Sequence, residues 1–117
     1  MTIFIVEDDP CLQDLYPLML EKLGFKVVGL ANDGEEAVKM FKEFPEKPQI
    51  IIMDHRMPNK NGLDATREIL AIHKTTKIIF ASADTSIKAD ALASGAIDFL
   101  KKPFTYEILA KSINEHL

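Results

Sequence analysis

Short apolar runs alternate with amphipathic segments along the whole chain, at residues 3–6, 26–30, 50–53, 77–81 and 97–100. Three of these runs are almost wholly apolar, as strands covered on both faces must be. Between them, apolar residues recur at helical spacing. Leu12, Leu15, Tyr16, Met19, Leu20 and Leu23 form the first stripe, and Gly24 stands where a helix would stop. Asp33 and Glu36 make a capping pair ahead of Ala37, Val38, Phe41 and Phe44, while Gly95 closes the segment carrying Ile87, Ala91 and Leu92. Pro17 falls inside the first stripe, where it removes a backbone hydrogen bond at a cost of about 3 kcal/mol, so a bend or an irregular turn is expected over residues 13–17. Five repeats of strand then helix predict an α/β fold: a (βα)5 doubly wound parallel sheet with helices on both faces. Each parallel crossover needs a helix-sized, right-handed connection.

The length of 117 residues suits one domain, read over residues 1–117, with a sizeable core. Hydrophobic residues at 47% and charged residues at 27% place it with soluble globular chains. A formal charge of −4 without a Lys/Arg run argues against direct nucleic-acid binding, which depends on phosphate neutralisation. A protein partner or a cation is the better expectation. No apolar run approaches a membrane span, and Met1 leads straight into a strand-like run without the pattern of a secretory signal, so the cytoplasm is expected. Cys11 cannot form an internal disulfide and reads as a small helix residue.

In an open parallel sheet, ligands bind beyond the carboxyl ends of the strands. This chain places Glu7 and Asp8 after the first strand, Asp54 after the third, Ser82 after the fourth and Lys102 after the fifth. Acids gathered on one edge repel one another and are costly to desolvate, so they need Lys102 or a divalent cation as counter-charge. Mg²⁺, a hard cation that takes one or two carboxylates and leaves room for phosphate and water, fits. Asp9 reads differently, as a helix N-cap, because Pro10 follows at the first helical position. His55, His73 and His116 lack metal-ligand spacing and read as exposed bystanders.

Taken together, Val6-Glu7-Asp8-Asp9-Pro10, the run MDHRMPNKNG over residues 53–62, Ala81-Ser82-Ala83 and Lys101-Lys102-Pro103-Phe104 resemble the receiver domains of two-component response regulators, of the CheY type. The resemblance covers essentially the whole chain. It implies the flavodoxin-like strand order 2-1-3-4-5 and a cis Lys102-Pro103 bond. It implies that Asp54 is the phosphoacceptor, with Asp8 a direct Mg²⁺ ligand, Glu7 acting on the ion directly or through water, and the backbone carbonyl of Arg56 a further ligand. Ser82 would turn its hydroxyl toward the phosphoryl group, Lys102 would pair with that group, and Phe99 would turn inward as Ser82 shifts. Arg56 and Asp84 correspond to the positions that flank the path of the hydrolytic water, where a bridge between them would slow dephosphorylation. Implied partners are a sensor histidine kinase or phosphotransfer protein and an output protein or fused output domain. The output surface would be the fourth helix, fifth strand and fifth helix, residues 85–94, 97–101 and 106–117. Self-phosphorylation and autodephosphorylation would be the only reactions.

A receiver fold used as a phosphorylation-independent interaction module is a second reading, separated from the first by whether Mg²⁺ and a small phosphodonor add one phosphoryl mass. A metal-dependent phosphohydrolase with an aspartate nucleophile would show Asp-x-Asp, but Arg56 stands two residues after Asp54. A nucleotide- or flavin-binding module would need a glycine loop where this chain has acids.

Overall fold

Strand and helix alternate as expected in the computed structural model, which describes residues 1–116. The elements are β1 (Thr2–Val6), α1 (Pro10–Lys22), β2 (Lys26–Ala31), α2 (Gly34–Glu43), β3 (Ile50–Met53), α3 (Gly62–Ile72), β4 (Lys77–Ser82), α4 (Lys88–Ala93), β5 (Asp98–Lys101) and α5 (Tyr106–Glu115). One sheet contains the five strands in the order β2-β1-β3-β4-β5, every neighbouring pair parallel. The order matches the one implied by resemblance. Strand ends differ by one residue where the sequence reading stopped at the last apolar side chain. β5 runs on to Lys101, which pairs with Ser82, because a ladder is made by backbone groups and does not end where polarity begins.

Side chains alternate across the sheet, and the two faces have separate cores. Phe4, Val6, Ile51, Met53, Ile78, Phe80 and Phe99 point to the face covered by α2, α3 and α4. Ile3, Ile5, Ile50, Ile52, Ile79, Ala81 and Leu100 point to the face covered by α1 and α5.

α1 corrects two expectations. Its first turn is regular, with the Gln13 N–H bonded to the Asp9 carbonyl at 2.9 Å, and the helix passes through Pro17 without interruption. Tyr16 and Leu20 are fully packed on either side, and burying two such side chains stabilises by roughly 3 to 6 kcal/mol, enough to offset the proline. Leu15 belongs to the expected apolar stripe yet is 48% exposed, as is the neighbouring Leu18 at 67%. The expected fourth helix is also shorter than the span 85–94. A 3-10 turn over Thr85–Ile87 precedes α4, which has six residues. Leu117, the last residue of the expected output surface, lies outside the described residues. Among the described residues no helix is long and apolar enough to cross a membrane.

Candidate functional site

The parallel register carries the polar residues to one edge. Val6, Met53 and Phe80 lie side by side in β1, β3 and β4, so the residues after them leave the sheet together. The ladder continues one bond further at each strand: the Asp54 N–H bonds the Val6 carbonyl and the Lys102 N–H bonds the Ser82 carbonyl, both at 3.0 Å. These bonds fix where each side chain starts. The cis Lys102-Pro103 bond implied by resemblance is present.

Glu7 is 1% exposed and Asp54 7%, whereas Asp8 is open to solvent. Lys102 lies between the two buried acids, its Nζ 2.5 Å from Glu7 Oε1 and 3.4 Å from Asp54 Oδ1. That single cation does not balance the cluster. Burial pushes the Asp54 carboxyl up to about 7; Lys102 opposes the rise, while the Glu7 charge and a hydrogen bond with Glu7 add to it. One carboxylate oxygen from each of Glu7, Asp8 and Asp54 can be chosen so that all lie within 4.8 Å of one another. An all-oxygen set of this kind, with excess negative charge and one ligand open to water, fits Mg²⁺.

A cleft of about 370 Å³ is lined by Asp54, Arg56, Ser82, Ala83, Asp84 and Lys102. The Ser82 hydroxyl is buried and accepts the Asp84 N–H at 3.1 Å. Across the mouth, Arg56 Nη2 meets Asp84 Oδ2 at 2.8 Å. The Ser86 hydroxyl and then Arg56 hold the Asp84 carboxyl down at about 2. Asp84 also caps the following turn by accepting the Ser86 N–H. Phe99 is buried and stacks on Phe80, ring centroids 6.3 Å apart.

Asp9 caps α1, its side chain accepting the Cys11 N–H at 2.8 Å, with Pro10 at the first helical position. Asp33 caps α2 by accepting the Glu36 N–H. Gly62 is forced by close approach: a Cβ there would collide with the Asp54 carbonyl oxygen and sit 2.8 Å from the Phe80 ring. His55 departs from the bystander reading. It is half-buried, 6.0 Å from the Phe80 ring centre, and desolvation keeps it neutral more readily than a free imidazole. The sequence reading missed Gln13, which donates from Nε2 to the Glu7 carbonyl at 2.7 Å. It also missed Tyr16, buried beneath the site and stacked on Phe104 at 5.9 Å. Gln13 was visible only as a polar position on the first helix, and Tyr16 as one of its apolar stripe.

Residues 3–114 match the response regulator receiver domain family. The chemotaxis protein CheY of Thermotoga maritima is 36% identical over 115 residues, covering 97% of this chain and 94% of that one. Among solved structures, CheY in the CheX-CheY-BeF3-Mg complex of Borrelia burgdorferi superposes with a TM-score of 0.91 at 26% identity, over 100% of this chain and 90% of that one. The receiver domain of a sensor histidine kinase from Pseudomonas aeruginosa, with a magnesium ion coordinated in its active site cleft, gives a TM-score of 0.86 at 33% identity, over 97% and 94%.

Proposed function

We propose, from the premise that this chain belongs to the response regulator receiver domain family of two-component systems, that it is a Mg²⁺-dependent phosphoryl switch with Asp54 as acceptor. The observation that carries the reading is a buried carboxylate at the floor of a cleft that also presents a hydroxyl, Ser82, and an ammonium, Lys102. An oxygen of Asp54 attacks phosphorus while the bond from phosphorus to the donor nitrogen or oxygen breaks, and the donor leaves with that electron pair. Lys102 faces the phosphoryl oxygens as a fixed cation, and Ser82 offers its hydroxyl proton to one of them. Glu7, Asp8, Asp54 and the backbone carbonyl of Arg56 would hold Mg²⁺, which when bound supplies charge neutralisation for the transferring group. The acyl phosphate adds roughly 1.5 to 2 negative charges, and a Ser82 drawn toward it gives up the Asp84 N–H. Phe99, packed on the same face, carries the change toward α4, β5 and α5. The donor is a phosphohistidine in a sensor kinase or phosphotransfer protein, and the receiving surface belongs to an output protein or fused domain. The single unit over residues 1–117 and the cytoplasmic location belong to this same proposal.

Incubation with acetyl phosphate and Mg²⁺ should add one phosphoryl mass, and capture with phosphorylated against unmodified protein should recover a partner on one form only. An unchanged mass would favour the phosphorylation-independent module instead.

The Arg56 and Asp84 pair acts in this reading as a gate on the hydrolytic water. Arg56→Asn combined with Asp84→Ala should shorten the lifetime of the acyl phosphate several-fold, with the melting temperature little changed, because the pair is solvent-exposed. Phosphate release at the wild-type rate would remove the gate from the mechanism.

A further inference from the structure

The loop over residues 54–61 carries both the phosphoacceptor and Arg56, so its shape decides where those groups sit. At its far side the chain makes a tight turn: the Lys60 N–H bonds the Pro58 carbonyl at 2.8 Å, with Asn59 between them at φ 68°. A three-residue turn with positive φ at its centre is rare and strained, and persists where surrounding contacts over-determine it. Here those contacts come from the N-terminal turn of α2. Asp33 divides its carboxylate, one oxygen capping the Glu36 N–H at 2.8 Å and the other accepting Asn59 Nδ2 at 2.7 Å. The next residue, Gly34, donates its N–H to the Lys60 carbonyl at 3.0 Å, an approach so close that a Cβ at Gly34 would collide with that oxygen. On the other side the same turn reaches β1. Glu36 Oε1 accepts the Asn32 N–H at 2.9 Å and Asn32 Nδ2 at 3.0 Å, and Asn32 Oδ1 accepts Gln13 Nε2, which also bonds the Glu7 carbonyl. One helix start thus ties the segment bearing Glu7 to the loop bearing Asp54 and Arg56.

We propose that Asp33 and Asn59 are positioning residues for Mg²⁺ binding and phosphoryl transfer: the bond between them, at the start of α2, holds the loop after Asp54 in the shape the reaction uses. The inference rests on the functional reading above. It separates from a purely structural role because the helix cap and the loop bond use different oxygens of one carboxylate. Asp33→Ser keeps a residue that can cap α2 ahead of Glu36 but is too short to reach Asn59. Asn59→Gly keeps the backbone conformation and removes the side chain. Asp33→Asn can still accept the Glu36 N–H and pair with an Asn59 amide turned over.

Mg²⁺ titration followed by backbone amide shifts, acetyl phosphate kinetics and thermal melting should be measured on all three variants and on Asp33→Ser/Asn59→Gly. Asp33→Ser and Asn59→Gly should each weaken Mg²⁺ binding about ten-fold, the lower end of the loss seen when the groups that orient metal ligands are removed. Phosphorylation should slow at saturating donor, the melting temperature should stay near that of the wild type, and the double variant should be no worse than either single one. Asp33→Asn should restore most of the binding. If the wild type is phosphorylated and the variants bind Mg²⁺ and react as it does, or if every loss follows a fall in melting temperature, the positioning role is wrong and the functional reading stands. A wild type that takes up no phosphoryl group removes both.

Discussion

Asp54→Asn takes up no phosphoryl group from acetyl phosphate, and without metal it is more stable than the wild type at neutral pH. The first result follows from loss of the attacking oxygen. The second follows from burial, which pushes the Asp54 carboxyl up to about 7 with help from Glu7 and against the pull of Lys102. An unfolded aspartate titrates near 4, so between about pH 4 and 7 the folded protein keeps a proton that the unfolded chain has lost. Stability therefore falls as pH rises through that window, and the loss is complete above the folded value. Asparagine carries no such proton. Urea unfolding in the presence of EDTA should show the wild type losing on the order of 2 to 4 kcal/mol between pH 4 and 8 relative to the variant. Parallel profiles would mean that Asp54 is an ordinary solvated carboxylate, and phosphoryl uptake by the variant would move the acceptor elsewhere.

Lys102→Met should act on stability and metal affinity in opposite directions. Glu7 is almost fully buried and has Lys102 as its ion-pair partner at 2.5 Å, so the substitution leaves an acid in the sheet edge without its cation. Breaking such a pair costs about 3 kcal/mol, and the metal-free variant should unfold correspondingly earlier in urea. The same change removes a positive charge from the site, so Mg²⁺ should bind more tightly and recover much of the lost stability. Phosphoryl uptake should nevertheless slow, because a cation facing the developing charge is gone. Unchanged metal affinity together with unchanged stability would show that Lys102 reaches into solvent and takes no part in the cluster.

The edge chemistry was legible from sequence because of how parallel sheets are built. A strand is recognised by its apolar run, the runs are in register, and whatever follows each run must emerge at the same edge; Glu7, Asp54, Ser82 and Lys102 were found in that way. Division of the acid run was legible too, since proline after Asp9 marks a helix start. What escaped depended on tertiary neighbours. Leu15 has the right spacing to be buried, but spacing does not say how far a helix is rolled on its sheet, and it lies in the open. Pro17 carries a known local penalty, yet the packing of Tyr16 and Leu20 overrides it. Asp33 was recognised as a cap, which accounts for one oxygen; its second, bonded to Asn59 across 26 positions of sequence, has no local signature. His55 was judged by ligand spacing alone, a criterion blind to an aromatic ring facing it from β4.

α4 has fewer than two turns, begins at Ile87 without a side-chain cap and follows a 3-10 turn held by Asp84. Helices this short form few internal bonds per residue fixed and depend on packing for their persistence. Its amide protons should therefore exchange with deuterium through local opening, while those of β1 and β3, central in the sheet, wait for global unfolding. The Ser82 hydroxyl accepts the Asp84 N–H just upstream of this weak segment. An event that engages that hydroxyl therefore acts on the part of the molecule that costs least to open, and the domain can answer a single new charge without disturbing the five-stranded platform beneath it.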